Sequence, residues 1–247
     1  MLTESFLARI RLDGTQVDIK HLPLLLRYVA AYIPFENIDI IEGTSQPLSL
    51  EGTATKILQQ QRGGLCYEIN PLLAAVLIEN GLQIQLISAV IYDAMNEKFS
   101  KTGYTHTLLL LEDHGERYLI DAGFGNNVPL VAVPLDGTTV SSTNGDYRVV
   151  GNELYMKRRY RDAQFICAYR FDTQPIELPA LRVSQQIIEQ SEDSAFNKRP
   201  LLTKCTDNGT ITLSGNDLTI MKDGEKTVAI LTDKEKAVAK KTYFYQK

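Results

Sequence analysis

The chain has 247 residues, 44% apolar and 23% charged, the make-up of an ordinary soluble globular protein able to bury a core. A formal net charge of −4 argues against a nucleic-acid binder, which needs a basic face to neutralise phosphates, but leaves room for a nucleotide-bearing cofactor held by a few local groups. Three widely spaced cysteines (Cys66, Cys167, Cys205) and three histidines suggest neither a disulfide framework nor a zinc site, a reducing cytoplasm is the simplest setting, and neither a leader nor a membrane span is expected.

Residues 1–82 read as mostly helical. Leu22 to Tyr32 carries a helical period and stops at Ile33-Pro34, because the residue before a proline avoids the α region. Thr53 to Gln61 is a second candidate helix, with Gly63-Gly64 after it. Leu65, Cys66, Ile69, Leu72, Leu73 and Leu77 then recur at helical steps on one face, and Gly81 is a natural stop. Asn70-Pro71 could open this helix as N-cap and first residue. The periodicity reaches back to Leu65, however, and Pro71 falls off the apolar face, so the favoured reading starts the helix near Cys66. From residue 83 the period changes to strands: 83–91, 105–111, 117–121, 146–150, 153–158 and 164–171, separated by turn signals such as Asp113-His114-Gly115 and Asn144-Gly145. A helix over 178–190, short strands near 210–213, 217–221 and 226–230, and a lysine-rich helix after Thr232-Asp233 complete the chain. Helices, then antiparallel strands in a barrel or sandwich, then a mixed tail make an α+β fold.

The chemistry concentrates at Arg62-Gly63-Gly64-Leu65-Cys66. A cysteine in a first helical turn feels the positive end of the helix dipole, which favours thiolate, and nearby backbone N–H groups can hold an oxyanion. On position alone the blander reading, a small buried hydrophobe, is favoured. Cys167 sits inside an apolar strand and reads as structural; Cys205 has no local activation signal. A cysteine nucleophile needs a base. His21 and His114 read as surface residues, whereas His106 opens the apolar run Leu108 to Leu111. If the hairpin loop is His114-Gly115, His106 opposes Gly123 and Asp121 is its diagonal neighbour; if the loop centres on Asp113-His114, His106 opposes Asp121 directly. Both registers put the two side chains on one face, whereas an odd-numbered loop would separate them. Asp121 ends a buried strand and needs a partner; it would orient the imidazole and stabilise imidazolium.

These residues resemble the arylamine N-acetyltransferases. The resemblance rests on Arg62-Gly63-Gly64-Leu65-Cys66-Tyr67-Glu68-Ile69-Asn70, on Pro34-Phe35-Glu36-Asn37, on Thr105-His106-Thr107 and on Asp121-Ala122-Gly123-Phe124-Gly125, in order and at compatible spacing. It implies a helical bundle over residues 1–82, a β-barrel over 83–177 and an α/β lid over 178–247, around a cysteine-protease-like core. It implies a Cys66-His106-Asp121 triad and ping-pong acetyl transfer from acetyl-CoA, without a metal, to an arylamine, arylhydroxylamine or hydrazine. Phe35 and Phe124 fall where the family lines its acceptor pocket. Thr102 and Gly103 match residues near the bound coenzyme A, and Arg62 and Glu36 match a structural ion pair. Pro71 is unusual for the family. The tail ending in Lys240-Lys241-Thr242-Tyr243-Phe244-Tyr245 is shorter than expected, which bears on the lid and coenzyme affinity.

Two other classes fit the same residues. A peptidase, transglutaminase or amide synthase could carry the same triad, although a papain-like histidine would lie over ~100 residues downstream rather than 40. An impaired relative acting as a small-molecule binder is the other.

Overall fold

The chain opens on the helix α1 (Leu2–Arg9), which the sequence reading did not single out within its helical first part and which buries Phe6 and Leu7. The computed structural model describes residues 1–245. Helix α2 (Leu22–Tyr32) ends where Ile33 turns extended ahead of Pro34. Then come the two-residue strand β1 (Phe35–Glu36) and the short helix α3 (Ile38–Glu42). The helix expected from Thr53 starts earlier, because the Ser49 hydroxyl accepts from the Gly52 N–H and caps α4 (Leu50–Ala54), which runs on into a wider π turn, Thr55–Gln59. Helix α5 (Cys66–Glu79) contains Pro71 one and a half turns in, so the early start holds. Pro71 has no N–H to donate one turn back, a loss set against the buried apolar face of the helix.

The strands form two antiparallel sheets. The larger has nine strands in the order β6 (Val133–Pro134), β5 (Glu116–Ile120), β4 (His106–Asp113), β2 (Gln83–Asp93), β10 (Ile166–Asp172), β9 (Glu153–Arg158), β8 (Gly145–Val150) and β7 (Val140–Ser142), with β3 (Lys98–Phe99) on β2. It curls into a nearly closed barrel. The run Leu108 to Leu111 is buried on both faces: Leu108 and Leu110 point into the barrel with Tyr147 and Phe171, while Leu109 and Leu111 pack on α5. The smaller sheet joins β1 to β11 (Leu201–Thr206), β12 (Gly209–Ser214), β13 (Asp217–Lys222) and β14 (Glu225–Ile230). In sequence between the two sheets comes α6 (Leu178–Gln190), whose Leu181 and Ile188 join the core cluster around α5. After β14, Thr232 caps α7 (Asp233–Ala239), which passes into a second π turn, Lys240–Phe244. The molecule is thus mixed α+β.

One hairpin decides the site. His114 and Gly115 have φ of 49° and 84°, the left-handed pair of a tight two-residue turn between β4 and β5. Asp113 therefore pairs with Glu116 and Leu109 with Ile120. Continuing that register sets His106 opposite Gly123, with Asp121 diagonal to it on the same face.

Candidate active site

The loop before Cys66 is fixed on both sides. Gly63 lies so close to Pro34 that a Cβ would stand 1.8 Å from its carbonyl oxygen, which only glycine permits. The Gly64 N–H donates to Pro34 O (3.2 Å), and the Glu36 N–H donates to Gly64 O (3.0 Å). Glu36, fully buried, accepts from the Gly63 N–H at 2.8 Å and from both Arg62 Nε and Nη2, at 2.8 and 2.9 Å. At the other end of the loop, Glu68 Oε2 accepts from the Leu65 N–H at 2.9 Å. Burial pushes the Glu68 carboxyl above its ordinary value, against the pull of Lys56, which sits 2.7 Å away and equally close to Asp39. From behind, Arg9 donates to the carbonyls of Ile57, Gln61 and Arg62, at 2.9, 3.3 and 3.2 Å. Burial, with Arg11 nearby, draws its guanidinium down to about 10. Cys66 is the first residue of α5, at the positive end of the dipole, and its backbone N–H has no acceptor among the described residues.

His106 and Asp121 meet beside it. His106 Nε2 lies 2.7 Å from Asp121 Oδ2, and both side chains are buried. The other ring nitrogen, Nδ1, is left for Cys66, whose sulfur also approaches Thr105 O at 3.9 Å. Burial disfavours the imidazolium, but the charge and hydrogen bond of Asp121 outweigh it and Cys66 adds to the effect, so the His106 pKa rises from 6.5 to about 10. The second carboxylate oxygen of Asp121 accepts from Asn70 Nδ2 (3.0 Å) and from the Gly123 N–H (2.8 Å). Asn70 is itself locked: Nδ2 donates to Thr107 O at 2.7 Å, and Oδ1 accepts from the Ala122 N–H at 2.9 Å. A Cβ on Gly123 would stand 2.6 Å from Cys66 Cα, so this glycine lets the segment that follows β5 pass directly over the cysteine. The rings of His106, Phe124 and Tyr169 pack in a triangle with centroids 5.2–5.4 Å apart.

Cys66 and His106 open into a cavity of about 390 Å³. Phe35, Leu65, Phe99, Phe124, Ile188 and Phe196 give it apolar walls, with Phe35 edge-on to Phe196 at 5.5 Å. Lys98, Lys101, Thr102, Asp93 and Asp193 add polar and charged groups to its lining. Of the residues singled out in the sequence, Cys66, His106, Phe35, Phe124 and Thr102 all line this one cavity, and Asp121 backs it. Gly103 occupies the turn after Thr102, φ 68°, outside the lining. His21 bonds Asp18 at 2.7 Å, and His114 is exposed in its turn, both away from the cavity. Burial pushes the Cys167 and Cys205 thiols up to about 11 and 12, the opposite of activation. Among the described residues no group of three or more His, Cys, Asp or Glu is placed to hold a metal ion.

Sequence reasoning missed Phe196, Arg9 and the work of Asn70. Phe196 is carried in by a contact 159 residues long in sequence, Asn37 Nδ2 to Phe196 O at 2.8 Å, which no local pattern announces. Asn70 did leave a signal, a polar residue in the buried stretch of an apolar helix.

The chain is similar to known proteins over most of its length. An N-acetyltransferase family model matches residues 18–245. The chain is 32% identical over 220 residues to an uncharacterised acetyltransferase of Bacillus subtilis, covering 87% of this chain and 86% of that one. An arylamine N-acetyltransferase from Bacillus cereus superposes with a TM-score of 0.93 at 32% identity, covering 98% of this chain and 97% of that one. That enzyme is described with a Cys-His-Glu catalytic triad, whereas here the residue bonded to His106 is Asp121. The Mycobacterium marinum arylamine N-acetyltransferase in complex with CoA superposes with a TM-score of 0.84 at 27% identity, covering 97% and 90%. The chain belongs to the arylamine N-acetyltransferase family of acyltransferases.

Proposed function

We propose that the protein transfers an acetyl group from acetyl-CoA to an aromatic amine, arylhydroxylamine or hydrazine, by a ping-pong route through acetylated Cys66. The observation that carries this reading is the placement of His106 between Asp121 and Cys66, with Cys66 at a helix N-terminus in an apolar slot.

Cys66 thiolate attacks the thioester carbonyl, and the negative charge moves to the carbonyl oxygen, where the unpaired Cys66 N–H is positioned to meet it. The carbon–sulfur bond to coenzyme A breaks, and the His106 imidazolium donates its proton to the departing thiolate. Cys66 now carries the acetyl group and His106 is neutral. The acceptor nitrogen attacks the Cys66 thioester, His106 takes its proton, and the Cys66–acyl bond breaks to restore thiolate and imidazolium. The walls formed by Phe35, Phe124 and Phe196 suit an aromatic ring and exclude water from the acyl-enzyme. Thr102, in the cavity lining, and Gly103, in the turn just after it, are the residues assigned to the incoming coenzyme.

The test is intact mass after mixing with acetyl-CoA and no amine. One acetyl group per chain, mapped to Cys66 and discharged by adding aniline, is expected. No added acetyl, or coenzyme-independent cleavage of a peptide, would sink the reading in favour of a hydrolase or a binding protein.

A further inference from the structure

We infer that Tyr245 is a positioning residue for the nucleophile, acting through Glu36; the inference rests on the reading of Cys66 just given. Glu36 is fully buried, and a carboxylate there has room for about four donors. It has four. Oε1 accepts from Arg62 Nε and from the Gly63 N–H, each at 2.8 Å. Oε2 accepts from Arg62 Nη2 and from the Tyr245 hydroxyl, each at 2.9 Å. The loop leading to Cys66 thus hangs on one oxygen, Tyr245 on the other, and Arg62 spans both. Arg62 also stacks over the Tyr245 ring, its Cζ 5.5 Å from the centroid.

The chain is built to deliver this phenol. The π turn Lys240–Phe244 drops Phe244 into the apolar cluster of Ile38, Leu202, Leu213 and Leu218, which fixes where Tyr245 emerges. Burial and the Glu36 charge keep the phenol protonated and therefore a donor. Glu36 belongs to β1 with Phe35, whose ring walls the cavity, and its N–H bonds Gly64 O. Freed from Tyr245, the carboxylate would rotate towards a replacement donor. That would loosen the Gly63 bond, and with it the placement of Cys66 against His106.

The experiment is a double-mutant cycle on the full chain, read by the rate of Cys66 alkylation by iodoacetamide across pH and by single-turnover acetylation with acetyl-CoA. Tyr245→Phe keeps the ring over Arg62 and removes only the hydroxyl. It should slow both reactions about five- to tenfold and flatten the low-pH arm of the alkylation profile, while far-UV spectra stay unchanged. In a Glu36→Gln background the same substitution should have less than a twofold effect, because its route to Cys66 is already cut. Tyr243→Phe, altering a neighbouring phenol with no hydrogen bond among the described residues, should behave as wild type. Alkylation of Tyr245→Phe within twofold of wild type at every pH, even with a lowered melting temperature, would show the contact to be merely structural. Equal effects in both backgrounds would show that Tyr245 does not act through Glu36. Should wild type itself take no acetyl group, the function proposed for Cys66 fails, and the alkylation cycle still decides the role of Tyr245.

Discussion

Replacing Asp121 with Asn alters one atom, and the surrounding bonds dictate where that atom goes. Asp121 Oδ1 accepts from Asn70 Nδ2 and the Gly123 N–H, so the retained carbonyl oxygen of the asparagine must stay there. Asn70 cannot flip to oblige, since its own amide is held by Thr107 O and the Ala122 N–H. The new NH₂ group therefore faces His106 Nε2 across the 2.7 Å now spanned by the charged bond. A donor facing Nε2 forces the ring proton onto Nδ1, the nitrogen that should take the proton of Cys66. The variant keeps the shape of the triad and holds the wrong tautomer. Loss of the Asp121 charge also removes the main influence that raises the His106 pKa against burial, so it falls from about 10. The wrong-tautomer substitution in a comparable triad costs about 10⁴-fold, or ~5.5 kcal/mol of barrier. Acetylation of Cys66 by acetyl-CoA, followed by quenched-flow mass spectrometry, should slow by about that factor. Alkylation by iodoacetamide should slow at neutral pH, because the imidazolium beside the Cys66 sulfur is lost. Acetylation within threefold of wild type, with an unshifted alkylation profile, would refute the argument that Asp121 sets the protonation of His106.

Gly123→Ala adds a Cβ 2.6 Å from Cys66 Cα and 2.8 Å from Asn70 Nδ2, so either the cysteine or the Asp121 anchor must move. Since a displacement of ~1 Å can cost about 100-fold, acetylation should fall by at least that much while the melting temperature drops only modestly; a variant acetylated at half the wild-type rate would show that the close approach is incidental. The raised pKa of His106 also ties stability to pH. The folded state holds the ring proton more tightly than the unfolded chain, so this contribution is fully present below pH ~6.5 and is lost as pH climbs towards about 10. Wild-type melting temperature should therefore fall across that window, and Asp121→Asn should remove part of the slope. Parallel melting curves for the two proteins would exclude His106 as its source.

What the sequence could show and what it could not divide along a physical line. Features set by neighbours in the chain were readable. The apolar spacing from Leu65 to Leu77 located α5 and carried it through Pro71, because the N–H that this proline lacks is set against the many contacts of the buried face. The two-residue turn at His114-Gly115 was one of the two registers compatible with His106 and Asp121 sharing a face, and the left-handed backbone of both residues selects it. Features set by distant partners were not readable. Strand β1 is two residues long and is a strand only because β11, more than 160 positions later, pairs with it. Phe196 and Tyr245 reach the site by the same kind of closure, the latter across 209 positions.

Asn70 marks the boundary between the two. Its position was fixed by helical period, one turn beyond Cys66 on the buried side of α5, where it is wholly inaccessible. An amide there costs a few kcal/mol unless its hydrogen bonds are met, so the residue declares in advance that acceptors and a donor must be waiting. The sequence states that requirement without naming who fulfils it. Thr107 O, Asp121 Oδ1 and the Ala122 N–H do so, one partner from the strand that carries His106 and two from the segment that carries Asp121. A single buried polar side chain thereby ties the helix of the nucleophile to both the base and its orienter. Its removal should disturb the mutual placement of all three, although Asn70 itself does not line the cavity.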